Sequence, residues 1–139
     1  MRSQALLVAI LALCGCVGPA KDRPVVDLEK LLRDPANFDG LIVSVAGYIS
    51  YGFEDCVLWV DRVAFENREV ERAAWFWPKS ATCFGIDSRR RQQDGSGIVT
   101  GSFDAAGKGH LGLFPASIND ASFMYLETSN HRMERAREP

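Results

Sequence analysis

The chain has 139 residues, and its 16 basic and 18 acidic side chains give a formal net charge of -2. This length suits one domain with a modest hydrophobic core. Proteins dedicated to nucleic-acid binding normally carry a strong basic excess, so the charge balance argues against that class.

The N-terminal residues have the layout of an export signal. Arg2 precedes an apolar run at residues 5–13, whose last residue begins the motif Leu13-Cys14-Gly15-Cys16. A membrane-spanning helix needs about 20 apolar residues, and this run is shorter. Cleavage either before Cys16 or after Ala20 is compatible with the pattern, and both export the chain.

The motif ending at Cys16 resembles the lipobox of bacterial lipoproteins, in which an apolar residue and a small residue precede a cysteine that becomes the lipidated N-terminus. The resemblance implies a signal peptide at residues 1–15 and lipidation of Cys16, with acyl chains such as palmitate. It also implies a membrane-anchored protein facing the periplasm. Val17 after the cysteine favours the outer membrane over the inner one. Plain secretion remains the alternative.

Two cysteines remain once Cys14 is removed with the signal peptide and Cys16 carries the lipid. Cys56 and Cys83 form an even pair in a compartment where disulfides persist. A bridge between them would contribute roughly 3.5 kcal/mol by the chain-entropy model. The alternative is a pair of buried free thiols that pack as small hydrophobes.

A short helix is predicted at residues 27–33, where Leu28, Leu31 and Leu32 have helical spacing. Asp27 can cap this helix and Pro35 ends it. Residues 16–26 are expected to form a lipidated tether before the folded domain at residues 27–127. The last residues, 128–139, are expected to form a flexible charged tail.

Five strands are predicted after the helix. The first covers residues 41–51, where apolar side chains alternate and Gly47 provides a point at which the strand can bend. The other predicted strands are residues 56–60, 81–87, 98–103 and 118–126. A polar break is expected at residues 88–97, and a surface helix or loop at residues 63–72.

A long bent strand followed by four shorter ones resembles the OB-fold. The resemblance is greatest at residues 38–48 and 101–112, which are similar to segments of exported bacterial proteins with OB-like barrels. The implied fold class is mainly β, a small five-stranded OB-like barrel with a short N-terminal helix. The resemblance implies a fold and brings no catalytic residue with it.

The aromatic run Trp-Phe-Trp-Pro at residues 75–78 is a candidate binding surface. Consecutive rings on a strand cannot all face one side, so at least one of them should be exposed or cover an edge. Trp75 and Trp77 would then stack on a sugar or receive a protein partner. The alternative is that these rings plug one mouth of the barrel beneath the N-terminal helix.

His110 lies in a glycine-rich loop at residues 107–112 and is the third candidate for the binding surface. The simpler role for its imidazole is a hydrogen bond to the backbone. A hydrolase would instead use His110 with Asp104 or Glu54 as the acidic partner. No cluster of metal ligands and no cofactor-binding motif is recognisable, so neither a metal nor a cofactor is expected.

These observations lead to one principal expectation and one alternative. The principal expectation is a lipid-anchored binding or envelope-maintenance module of the cell envelope without enzymatic activity. Its expected contacts are the membrane, through the anchor, and an envelope protein or glycan, with no nucleic acid. The alternative is a small exported hydrolase or processing enzyme that uses His110.

Overall fold

Six strands form one sheet in a computed structural model, which describes residues 24–80, 83 and 93–126. The elements in chain order are β1 (Val25–Asp27), α1 (Leu28–Arg33), β2 (Ile42–Gly52), β3 (Asp55–Trp59), α2 (Arg62–Asn67), β4 (Ala73–Pro78), β5 (Gln93–Asp104) and β6 (Ser117–Tyr125). Short 3-10 turns lie at Pro35–Asn37, Val70–Arg72 and His110–Gly112.

The sheet closes on itself. Its strand order is β1-β2-β3-β4-β6-β5, and β2 also pairs with β5. Strands β4 and β6 are parallel, whereas the other pairs within the closed part are antiparallel. Strands β2 to β6 therefore form the predicted five-stranded OB-like barrel, to which β1 adds a parallel edge strand.

Gly47 marks the point where β2 changes neighbours. Ala46 is the last β2 residue paired with β1, and Tyr48 is the first paired with β3. A Cβ at Gly47 would lie 2.5 Å from the carbonyl oxygen of Trp59. Only glycine leaves room for this close approach. Gly47 therefore allows the single strand β2 to pair with β1 before this point and with β3 after it.

The core fills the barrel. Cross-strand partners project from the same face of a sheet, and the fully buried pairs Val45 with Val99, Ile49 with Leu58 and Phe103 with Ile118 define the inner face. Helix α1 adds Leu28 and Leu31, which are buried, and Leu32, which is partly buried. The predicted packing face of the helix is therefore confirmed.

The start of the domain differs from the prediction. Residues 25–26, assigned to the tether, belong to β1. Asp27 occupies the N-cap position of α1, but its side chain makes no capping hydrogen bond. Of the tether, the structure describes only residues 24–26, and the predicted signal peptide, Cys16 and the tail at residues 128–139 lie outside the described residues.

Cys56 and Cys83 lie at disulfide distance, with their Cα atoms 5.8 Å apart. Both side chains are buried. The backbone N–H of Glu54 donates to the carbonyl oxygen of Cys83 over 2.8 Å. Residue 83 is thus held against the turn between β2 and β3 by two contacts.

The third barrel strand does not lie where it was predicted. It is β4 (Ala73–Pro78), not residues 81–87, of which only the buried Cys83 is described, and that residue is not in a strand. The aromatic run makes this segment a good strand because large rings fit a pleated, half-buried surface. Strand β5 also begins earlier than predicted, at Gln93, so residues 93–97 belong to the sheet rather than to a polar break.

The two segments between β3 and β4 are short and helical, as expected for residues 63–72. Asp61 caps α2 by accepting a hydrogen bond from the backbone N–H of Ala64 over 2.7 Å. This bond, together with Arg72, holds the pKa of the Asp61 carboxyl below its ordinary value. In the described part of the chain, no helix is long and apolar enough to cross a membrane.

Candidate functional site

The aromatic run on β4 divides between the two faces of the barrel wall. Phe76 points inward and is fully buried, whereas Trp75 and Trp77 belong to the outer face. Trp75 pairs across the sheet with Val57 of β3, so these two side chains share that outer face. Trp77 is 37% exposed, in agreement with the prediction that at least one ring of the run reaches the surface.

Trp75 is buried although it lies outside the barrel. Its ring centroid lies 5.5 Å from that of Phe114, 5.4 Å from that of His110 and 5.5 Å from that of Trp77. Phe114 and His110 belong to the loop between β5 and β6, at residues 105–116. The loop, rather than the N-terminal helix, covers the ring, so Trp75 is not the predicted plug of a barrel mouth.

Hydrogen bonds and unusual backbone conformations shape the β5–β6 loop. Asp104 accepts from the backbone N–H groups of Ala106 and Gly107, which starts the turn. The N–H of Phe114 donates to the carbonyl of Lys108 over 3.0 Å and closes the loop. Between these bonds, Gly109, Leu111 and Gly112 all have positive φ.

Leu111 stands out within this loop. Its φ of 57° lies in the left-handed region, which large side chains rarely occupy. Its side chain is also 76% exposed, so burial in this fold does not compensate for the unusual conformation. Leu113, two residues later, is 58% exposed. The loop therefore presents two aliphatic side chains to solvent.

A groove of about 370 Å³ lies on the outer face of β3 and β4, and we call it the outer groove. Its buried side chains are Val57, Trp59, Trp75 and Phe114. Its more exposed side chains are Glu54, Asp55, Arg68, Val70, His110, Leu111 and Leu113. The volume is near the lower end of the range for small-ligand pockets, which begins at about 300 Å³.

A chain of hydrogen bonds supports one side of the outer groove. The indole Nε1–H of Trp59 donates to Ser50 Oγ over 2.9 Å, and the Ser50 hydroxyl donates to Asp55 Oδ1 over 2.8 Å. Ser50 is fully buried, so these bonds satisfy polar atoms that water does not reach. They fix the orientation of the Trp59 ring and of the Asp55 carboxylate.

Arg68 lies beside the same carboxylate. Its Nη1 atom is 3.7 Å from Asp55 Oδ2, and its guanidinium carbon lies 4.9 Å from the ring centroid of Phe65 and 5.7 Å from that of Trp59. The planar guanidinium therefore lies over aromatic rings and next to a carboxylate, an arrangement that limits its freedom to bind an anion.

The structure brings several predicted site residues together. Trp75, His110 and Glu54 all line the outer groove, whereas Trp77 lies next to it through its contact with Trp75. Asp104, the other proposed acidic partner of His110, does not line the groove. Its carboxylate is engaged in the loop turn and lies 3.5 Å from Asn119 Nδ2.

Other groove residues were not recognised in the sequence, among them Trp59, Arg68, Leu111 and Leu113. Trp59 belongs to a regular strand pattern, which does not distinguish a groove from a packed surface. The two leucines could have been recognised, because large apolar residues are unusual in and beside a glycine-rich loop. In the described residues, no group of three or more His, Cys, Asp or Glu side chains is arranged to hold a metal ion.

The arrangement can enclose an apolar group between buried aromatic rings and exposed leucines, with carboxylates and an imidazole nearby. Comparison of the chain with protein-family models, with curated proteins and with solved structures found no match.

Proposed function

We propose that this protein is a lipid-anchored module of the cell envelope that binds a partner in the outer groove and catalyses no reaction. One observation carries the proposal: the position of the groove in the barrel. It lies on the second and third barrel strands, β3 and β4, between the β2–β3 turn and the β5–β6 loop. By analogy at the level of the fold, OB barrels bind their ligands at this place.

The N-terminal sequence supports the cellular location. The lipobox-like motif ending at Cys16 would anchor the barrel to a membrane on its periplasmic side, with the outer membrane favoured. The Cys56 and Cys83 pair at disulfide distance fits an oxidising compartment. The partner in that compartment would be an envelope protein or a glycan.

The charge of the site argues against nucleic acid as the partner. Glu54 and Asp55 line the outer groove, and among the lining residues that the structure describes the one Lys or Arg side chain, Arg68, lies next to Asp55. Proteins that bind nucleic acids present a surplus of positive charge to the phosphates. The described residues of the outer groove carry a surplus of negative charge instead.

Photo-crosslinking in intact cells tests this proposal. One strain carries a photoreactive amino acid in place of Leu113, and the control strain carries it in place of Leu41. The two leucines are 58% and 54% exposed, and only Leu113 lines the groove. We expect a discrete adduct at position 113 that is absent at position 41. No adduct at 113, or the same adducts at both positions, would contradict binding in the groove.

The hydrolase alternative rests on a single observation, the presence of His110 and Glu54 in the same groove. An imidazole and a carboxylate that line the same groove are suitable for general acid-base chemistry. Assays with ester, amide and glycosidic model substrates would distinguish the two functions. Turnover that is abolished by His110→Gln, with the position-113 adduct retained, would favour the enzyme.

A further inference from the structure

We infer that the occupant of the outer groove is a peptide segment that combines an aliphatic side chain with an adjacent lysine or arginine. The inference rests on the proposed function, because it names the chemistry of the partner that the groove receives. Three features of the groove support it: the exposed leucines, the burial of the tryptophan rings, and the charge of Glu54.

The accessible apolar surface of the groove is aliphatic. Leu111 and Leu113 are the most exposed apolar side chains among the described lining residues, beside a floor formed by Trp75 and Phe114. An aliphatic side chain inserted between them would bury apolar area on both partners, which is the main favourable term in such an association. The unusual backbone of Leu111 is consistent with a residue held in place for contact rather than for packing.

The burial of the tryptophans argues against a sugar as the occupant of this groove. A sugar ring stacks on the exposed face of an aromatic side chain, but Trp75 and Trp59 are only 1% and 2% exposed. Their rings can form a floor for a small apolar group, whereas a stacked sugar would require the loop above Trp75 to move. Trp77 is more exposed but does not line the groove.

The charge of the groove selects a cation. Asp55 lies next to Arg68, whereas the exposed Glu54 carboxylate forms no ion pair with any of the described residues. Among the lining residues that the structure describes, two carboxylates and one guanidinium leave one surplus negative charge, with His110 counted as neutral. This surplus repels anionic lipid headgroups and attracts a lysine or arginine next to the inserted side chain.

The test is a titration followed by fluorine NMR. The protein is produced in cells supplied with fluorotryptophan, extracted from their membranes and placed in lipid nanodiscs, and it gives three signals because the chain has three tryptophans. Single Trp→Phe variants assign these signals. The probes are a capped Gly-Leu-Lys-Gly peptide, its Leu→Ser and Lys→Glu relatives, and an N-acetylglucosamine hexamer.

We expect the Leu-Lys peptide to shift the signals of Trp59 and Trp75. The Leu→Ser peptide should give no saturable shift. Replacing lysine by glutamate in the peptide should weaken binding about three- to tenfold, as expected for exchanging attraction for repulsion at an exposed pair. In the protein variant Glu54→Gln, the preference for the lysine peptide over the glutamate peptide should fall below about twofold. The control variant is Glu71→Gln, because Glu71 is exposed and lies outside the groove. This control should retain the preference.

Other results would overturn the inference. Equal binding of the lysine and glutamate peptides would refute the charge selection. Shifts produced by the N-acetylglucosamine hexamer and by no peptide would refute the peptide but leave the binding function intact. If neither class of probe shifts a signal and position 113 also gives no adduct in cells, the proposed function fails together with the inference.

Discussion

Gly109 is the residue on which the covering of Trp75 depends. Its φ of 61° and ψ of -157° lie in a region that is essentially reserved for glycine. A Cβ at this position would lie 2.3 Å from Trp75 Cβ and 3.0 Å from Phe114 Cδ2. Because both contacts are with groups packed in the floor of the groove, neither can move away cheaply. Gly109 therefore allows the loop backbone to lie directly on the tryptophan.

The variant Gly109→Ala should lower the free energy of unfolding by about 2–4 kcal/mol, because it combines backbone strain with a steric clash. Gly112→Ala is the matched control: Gly112 also has positive φ, but a Cβ there meets nothing within 4 Å. It should cost only the backbone term, about 1–2 kcal/mol. Denaturant unfolding measures both values. Equal losses for the two variants would show that the contact with Trp75 is not tight.

Among the secondary-structure elements, the strands marked by alternating apolar residues or by a preceding turn could be predicted from sequence. Four of the five barrel strands lie where the pattern indicates, with ends that differ by a few residues. The third strand was missed because each residue of Ala73–Pro78 is apolar, so no alternation marks it, and no hairpin turn precedes it as one precedes the equally apolar residues 56–60. Its outer face is apolar because the β5–β6 loop covers it, and sequence periodicity does not reveal that cover.

The seam between β2, β5 and β6 predicts that the stability of the protein depends on pH. Tyr48 of β2 donates a hydrogen bond to Asp94 of β5, and burial followed by this bond raises the pKa of Tyr48 from 10.0 to about 12. Burial, with the nearby charge of Asp94, raises the pKa of Tyr125 of β6 to about 12 as well. Both shifts favour the neutral phenol in the folded state.

The stabilisation from these two tyrosines should be complete below pH 10 and should disappear as the pH rises to about 12, because the unfolded chain loses its phenol protons first. Denaturant unfolding along this pH range should show a falling free energy of unfolding. The double variant Tyr48→Phe with Tyr125→Phe should fall less steeply. An identical slope in the variant and the unchanged protein would rule out these two groups as the cause.

At the scale of the whole molecule, the fold class could be predicted from the sequence, but only some of the residues that line the groove could. Trp75, His110 and Glu54 were chosen for their side chains, and the barrel brings them to one groove because β3, β4 and the loops beside them share an outer face. Asp104 was chosen on the same grounds, yet its position at the start of the loop gives it a structural role. Trp59 and Arg68 join the site through long-range pairing, which no local pattern records.

The cellular compartment of the protein decides whether the barrel can bind an envelope partner at all. The intact mass of the native protein, extracted from a membrane fraction without reductant, measures this most directly because it reports the N-terminus, the lipid and the disulfide together. We expect a species that begins at Cys16, carries added acyl mass and lacks two hydrogens through the bond between Cys56 and Cys83. A soluble species that begins near Lys21 and carries no lipid would contradict the lipid-anchored module.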